Sequence, residues 1–329
     1  MKIVYRYANN GNYIESYPSI ADAAFKFAVD ESSIRKAIKR KQKSCGFYWS
    51  KDLRHNYFVR NTFNSVINMP KILVFDIETA PLLAAIWRLK TEYVSPNMLM
   101  ETRNWWVLSW SAKWLFEDQI MHDIVTPEES LEENDDRVVL SIWKLIDEAD
   151  IVISHNGINF DHKLLNMRWL LNQMMPPSPY RMIDTLKHTR SLFNFPSYKL
   201  DYLATQLGIG TKVEHEGINM WKKCIQGDVG ALSSMVQYNQ GDVTILEDLY
   251  LIIRPWINTH PNLGIFIESE TPVCRVCGSS NLIELEGHDY TTNLSKYGTL
   301  RCECGAINKQ RKSKLPLNVR KALLSGMPQ

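Results

Sequence analysis

Lys71-Ile-Leu-Val-Phe-Asp-Ile-Glu-Thr-Ala-Pro81 is the stretch from which this sequence of 329 residues is best read. A continuous apolar run ends in two carboxylates, Asp76 and Glu78, one residue apart. Successive side chains of a β-strand point to opposite faces, so both acids stand on the same face. Buried charge is costly unless it is paired or bound to a cation. The pair therefore marks either a cation site or a strand end where both acids reach water.

Two later stretches bear on that choice. Ala149-Asp-Ile-Val-Ile-Ser-His-Asn-Gly-Ile-Asn-Phe-Asp161 is another short apolar strand followed by a polar Asn/Gly turn. Asp161 opens a helical pattern of Leu164, Leu165, Trp169 and Leu170. Tyr238-Asn-Gln-Gly-Asp242 leads into Val243, Ile245, Leu246 and Leu249. Tyr238 and Asp242 are four apart and share a helix face. Three separated elements thus supply four carboxylates and a phenol, an oxygen-rich set that suits Mg²⁺ or Mn²⁺.

Asp76/Glu78, Asn156-x-x-x-Phe160-Asp161 and Tyr238-x-x-x-Asp242 resemble the three motifs of the DEDD exonuclease superfamily. The tyrosine four residues before the last acid resembles the DEDDy branch; the histidine branch carries its histidine where this chain has Gln237. The motif spacing, and Leu200-Asp-Tyr-Leu-Ala-Thr-Gln-Leu-Gly208, are similar to the exonucleases related to family-B DNA polymerases. The resemblance covers about residues 70–255. It implies an α/β, ribonuclease-H-like mixed sheet flanked by helices, and 3′-to-5′ removal of nucleotides. It also implies two divalent ions, Mg²⁺ or Mn²⁺, ~3.5–4 Å apart, acting on the attacking water and the leaving oxygen. Asp76, Glu78 and Asp242 would hold one ion, with Asp76 bridging, and Asp161 the second, mainly through water. Tyr238 would orient the water rather than act as a strong base, since its ordinary pKa is ~10. Asn156 would shape its turn or reach the terminal nucleotide.

Other polar residues have plainer readings. His162 reads as a surface helix residue and Asp201 as a helix cap. Asp184 resembles an additional acid of the polymerase-type relatives, or serves the strand end. Leu82 to Met100 carries Trp87, Arg88, Lys90 and Tyr93, a mixture able to stack bases and hold phosphates; helical spacing favours a core position for Trp87. Trp105–Leu115 and Gln119–Val125 read as strands joined by a Glu-Asp turn. Ser130–Ala149 reads as one amphipathic helix whose Glu132, Glu133, Asp135 and Asp136 are solvated charges at its start.

The first fifty residues form a separate pattern. Residues 3–17 alternate β-formers around Asn9-Asn-Gly-Asn12, a hairpin signal. A short helix follows over Ser19–Ala28, with Ser19 as N-cap, and a second over Ser33–Lys41. Ile34 and Ile38 face inward while Arg35, Lys36, Lys39 and Arg40 project outward. Gly46-Phe-Tyr-Trp49 closes the pattern as a strand. Two short helices and a tight turn fit a helix-turn-helix unit on DNA, or a basic domain that docks on protein. Tyr17-Pro-Ser-Ile-Ala-Asp-Ala-Ala24, Ser32-Ser-Ile-Arg-Lys-Ala-Ile38 and the final Gly-Phe-Tyr-Trp resemble the nuclease-associated modular DNA-binding repeats of homing endonucleases.

At the other end, Cys274-Arg-Val-Cys-Gly278 and Cys302-Glu-Cys-Gly305 bring four thiolates, which satisfy a tetrahedral structural Zn²⁺. The Cys-x-Cys spacing departs from the usual ribbon pattern of two intervening residues. Cys45 and Cys224 read as plain thiols. Lys309-Gln-Arg-Lys-Ser-Lys314 reads as a basic clamp on nucleic acid or a solvated end.

These readings divide the chain into a DNA-binding module (1–52), a linker (53–69), the exonuclease domain (70–258), a zinc-ribbon-like module (270–310) and a basic tail (311–329). The formal charge is +2, yet residues 1–60 carry a net +7 and residues 270–329 a net +4, leaving −9 between them. Basic flanks around an acidic centre suit polyanion binding, or are ordinary solvated lysine faces. Hydrophobic residues at 45% supply ample core. No apolar run approaches the ~18–20 residues of a membrane span, and the opening lacks a signal core, so an intracellular, cytoplasmic protein without a membrane partner is expected. The expected activity is a 3′–5′ exonuclease on DNA, single-stranded or at 3′ ends. RNA is the alternative substrate, and a non-catalytic DNA-binding protein the alternative class. The combination of modules resembles proteins of bacteriophages and mobile elements.

Overall fold

The computed structural model describes residues 3–7, 13–40, 43–51, 69–88, 93–100, 105–210 and 216–326. The expected turn at 9–12, most of the linker and Lys90 lie outside them. The chain divides into two compact units, residues 70–250 and residues 1–69 with 251–329.

In the second unit, β1 (Val4–Tyr7) pairs antiparallel with β2 (Tyr13–Tyr17) and, on its other edge, with β3 (Tyr48–Ser50). Helix α1 (Ile20–Lys26) starts where expected, the Ser19 hydroxyl accepting the Asp22 N–H. Helix α2 (Glu31–Arg40) begins two residues earlier than its apolar pattern suggests. Asp30 accepts the Ser32 N–H at 2.7 Å and holds that first turn. Val4, Tyr17, Ile20, Ile34, Ala37 and Trp49 form the small core.

Residues 70–250 are built on a mixed sheet of order β6-β5-β4-β7-β8. Its strands are β4 (Ile72–Thr79), β5 (Val107–Trp114), β6 (Met121–Ile124), β7 (Ile151–Ser154) and β8 (Arg181–Asp184). The first three pair antiparallel; β4–β7 and β7–β8 are parallel. The helices are α3 (Pro127–Glu132), α4 (Asp136–Glu148), α5 (Asp161–Leu171), α6 (Thr185–Leu192), α7 (Leu200–Leu207), α8 (Ile218–Cys224) and α9 (Val229–Ile253). Trp110, opposite Ile77 in the ladder, donates to the Val138 carbonyl of α4, whereas Asp76 and Lys113, on the other face, bond to α9. Helices therefore cover both faces of the sheet, the ribonuclease-H-like arrangement expected from the order of elements.

Two local expectations fail here. Ser130–Ala149 is not one helix: α3 ends at Glu133 in the left-handed region, and α4 restarts at Asp136. The break turns Asp135 inward, where it is fully buried, accepts the Val107 N–H at 2.7 Å and pairs with the Arg168 guanidinium. It is not a solvated charge. Trp87 is not core but 95% exposed. Hydrogen bonds from Ala85 to Met98 and from Met100 to Leu83 make the excursion an extended arm, so helical spacing does not apply to it.

After α9 come a one-turn helix, α10 (Gly264–Ile267), and a four-stranded sheet. The central strand β11 (Ser295–Cys302) pairs with β9 (Leu282–Glu284), β10 (Tyr290–Thr292) and β12 (Ile307–Ser313), all antiparallel. A short α11 (Leu317–Ala322) follows. Strand β12 runs past the expected module end at 310, so Lys309–Ser313 is sheet and not tail. Among the described residues, no helix is long and apolar enough to cross a membrane.

Candidate active site

The central strand β4 presents Asp76 and Glu78 on one face, and α9 crosses that face with Tyr238, Asn239 and Asp242. One carboxylate oxygen from each of Asp76, Glu78 and Asp242 lies within 4.8 Å of the others. At such distances each like-charged pair repels by about 3–4 kcal/mol at an effective dielectric of 20. Three hard oxygen donors held this way fit a divalent cation such as Mg²⁺ or Mn²⁺.

Asp161, the first residue of α5, is 2% exposed and stands outside that cluster. The backbone N–H of Ile77, between the two β4 acids, is near enough to its carboxyl to favour the charged form. Burial, with a smaller push from the nearby charge of Asp184, raises the carboxyl to about 7. The turn carrying Asp161 is tied by Asp184, which accepts the backbone N–H groups of Asn156 and Ile158 at 3.1 Å and that of Lys187 at 3.0 Å. Asp184 thus serves as cap of α6 and anchor of the turn. Asn156 has φ 71, the left-handed conformation that Asn tolerates, so it shapes this turn. Gly157 is required by space: a Cβ there would stand 1.9 Å from the Ser154 hydroxyl oxygen. His155 is fixed between Thr185 and the Tyr198 carbonyl.

His162 is half-buried rather than a surface residue; it bonds the Tyr180 hydroxyl at 2.7 Å, and burial lowers its pKa. Asp201 is not a cap. Lys199 occupies that position, and the Asp201 carboxylate accepts from the Tyr202 N–H.

Tyr238 is 8% exposed, its ring edge-on to Trp221 of α8. Cys224, on the same helix as Trp221, is buried, and burial pushes its thiol up to about 12, so it stays a neutral core group. Trp105 stands edge-on to Phe160, the residue before Asp161.

Sequence reasoning overlooked the groups that support the acids. The Asn239 side-chain amide donates to the Asp76 carboxylate at 2.7 Å and is fully buried. On β5, Ser111 lies opposite Asp76 and Ser109 opposite Glu78; both hydroxyls are buried without a hydrogen-bond partner among the described residues. Lys113, next on that face, pairs with Glu247 of α9 at 2.5 Å, and Glu247 also accepts the Phe116 N–H. Asn239 was readable, being three residues before Asp242 and hence on its helix face. So was the alternation Ser109, Ser111, Lys113, polar at every second place in an apolar strand.

In the other unit, the sulfurs of Cys274, Cys277, Cys302 and Cys304 also lie within 4.8 Å of one another, and no disulfide joins them. Hydrogen bonds from the other three thiols hold Cys274 below its ordinary value. Asn308 donates to its sulfur at 3.5 Å, and Gly278 and Gly305 take positive φ after each pair. Cys-x-Cys spacing does not prevent convergence, and the cluster is compatible with Zn²⁺. On α2, Arg35, Lys36 and Lys39 are exposed, with Arg35 engaged by Glu31 at 2.8 Å; the Arg40 side chain lies outside the described residues.

The comparison with protein families agrees with this fold. Residues 116–253 match the RNase_H superfamily. The matched segment contains Asp161, Tyr238 and Asp242 but begins after β4. No curated protein matches the chain. Among solved structures, the family B DNA polymerase from the hyperthermophilic archaeon Pyrobaculum calidifontis is similar over 68% of this chain, with a TM-score of 0.43 and 15% identity. The match spans 34% of the polymerase chain.

Proposed function

We propose that this protein is a metal-dependent 3′–5′ exonuclease acting on DNA. The observation that carries the reading is the convergence of Asp76, Glu78 and Asp242 within 4.8 Å, with Asp161 held against the same strand. Divalent ions, when bound, supply positive charge that favours ionisation of the attacking water and stabilises the leaving 3′ oxygen. Asp76, Glu78 and Asp242 hold one such ion and Asp161 a second. Tyr238, braced by Trp221, orients the attacking water through its phenol, and Asn239 keeps the Asp76 carboxylate turned into the site. The Asn156 side chain is assigned to the terminal nucleotide.

The amino-terminal module favours DNA over RNA in this reading. Its exposed Arg35, Lys36 and Lys39, with Arg40, take phosphates of a duplex, and the cysteine cluster holds a structural Zn²⁺. The test is digestion of 5′-labelled single-stranded DNA and matched RNA with Mg²⁺ or Mn²⁺, comparing the protein with Asp76→Ala. The expected result is a descending ladder on DNA that chelator and the substitution both abolish. A ladder on RNA alone would replace the substrate, and silence on both with a retained gel shift would replace the enzyme by a binding protein.

A further inference from the structure

The carboxy-terminal sheet has two unlike faces. On one, Cys302 and Asn308 turn towards the cysteine cluster, Asn308 bonding the Cys274 sulfur. On the other, the ladder aligns Arg301 with Ile283 and with Ile307, and Thr299 with Lys309. Arg311, two residues beyond Lys309, is exposed where the β11–β12 register shifts. The Lys309 ammonium lies 4.4 Å from the ring centre of Tyr297 and 5.3 Å from that of Tyr290, placing both rings beside the cations. Tyr290 is half exposed, Ile283 is 72% exposed, and Arg301, Lys309 and Arg311 all reach solvent.

This face lacks the acids that neutralise its neighbours. Asp289 is taken by Lys296 and Lys314, and Glu284 by Lys314. Glu303 accepts from Ser279 and Asn281. Among the described residues, no carboxylate pairs with Arg301, Lys309 or Arg311. Three unneutralised cations interleaved with two tyrosines call for a polyanion that also presents flat apolar rings. A single-stranded nucleic acid does both, whereas a duplex hides its base faces.

We propose that this sheet face binds single-stranded nucleic acid, with Tyr290 and Tyr297 stacking bases and Arg301, Lys309 and Arg311 holding phosphates. The proposal does not depend on catalysis, and its test is arranged accordingly. Full-length Asp76→Asn protein, zinc retained and without added Mg²⁺ or Mn²⁺, is titrated against a 5′-labelled oligothymidylate by fluorescence anisotropy over a range of NaCl. Combined Arg301→Gln, Lys309→Gln and Arg311→Gln substitutions remove three phosphate contacts. They should lower the slope of log affinity against log salt by about 2, at ~0.7 per contact on single strands. Lys144→Gln with Lys163→Gln, exposed lysines of α4 and α5, should leave the slope unchanged.

Tyr290→Ala should weaken binding at least about fivefold, the lower end for loss of one stacked base, while Tyr290→Phe keeps it. Bromodeoxyuridine in the oligonucleotide should crosslink to Tyr290 or Tyr297. Zinc content and the unfolding midpoint check the fold; if the triple variant loses zinc, Arg311→Gln alone should still lower the slope by about 0.7. An unchanged slope overturns the proposal. So does a lowered slope with Tyr290→Ala binding like the parent and polyglutamate competing as well as the oligonucleotide, which would make the face a dock for acidic protein.

Discussion

Replacing Asn239 by leucine removes the donor beside Asp76 while keeping the number and branching of side-chain heavy atoms. The bond is 2.7 Å long, its donor is fully buried, and its acceptor is a carboxylate. Hydrogen bonds to charged groups contribute about 1.5–3 kcal/mol. At 1.36 kcal/mol per tenfold, that is about 10- to 150-fold in divalent affinity, overlapping the ~10–100-fold found when partners of metal ligands are removed. Stability should respond differently. The Asn239 amide oxygen is buried without a hydrogen-bond partner, a cost of about 1–3 kcal/mol that leucine abolishes. Metal-free Asn239→Leu should therefore unfold at no lower urea concentration than the parent, while Mn²⁺ binding, followed by the electron paramagnetic resonance of free Mn²⁺, weakens at least tenfold. Mn²⁺ affinity within twofold of the parent would refute the reasoning. A parallel loss of stability would make Asn239 an ordinary core residue.

Other perturbations have equally definite outcomes. Lys113→Met strands Glu247, which is fully buried, and should cost about 3–5 kcal/mol in urea unfolding; adding Glu247→Leu should recover most of it. Gly157→Ala drives a methyl against Ser154, displacing the turn before Asp161, and should reduce both stability and the proposed nuclease activity. Ser154→Gly in the same chain removes both clashing atoms and should restore them. Burial raises the folded-state pKa of Asp161 from 3.8 to about 7, so between those values the folded metal-free protein keeps a proton that the unfolded chain has lost. Its contribution to stability is then full below the lower value and is lost as pH rises towards 7. Mn²⁺ binding at this carboxyl must displace that proton, so affinity should fall about tenfold per pH unit below 7, and Asp161→Asn should flatten that slope in calorimetric titrations from pH 5 to 8.

What could be read from sequence was what periodicity and short motifs encode. The strand from 72 to 79 showed itself because an apolar run with acids at every second place has one interpretation in a sheet. Ser19 and its helix followed from capping chemistry, and the four cysteines from their spacing. Failures arose where a long-range contact overrides a local pattern. Asp135 resembles a helix-start acid until Arg168, thirty-three residues later, supplies a buried partner. Trp87 fits a helical face only if the arm is helical, and backbone pairing with residues 98–100 makes it extended. Lys113 and Glu247 are ordinary charges in sequence; only the crossing of α9 over β5 brings them together.

The bond between Asn239 and Asp76 joins residues 163 positions apart in the chain. During synthesis at ~5–20 residues per second, Asp76 leaves the ribosome about 8–30 s before Asn239 does. Throughout that interval Asp76 and Glu78 lack the third acid of their cluster, and a nascent chain interrupted before α9 carries the strand but not the complete acid cluster. Construction of the site from opposite ends of one unit therefore acts as a timer. If the proposed function holds, truncated products released near nucleic acid should be incapable of degrading it.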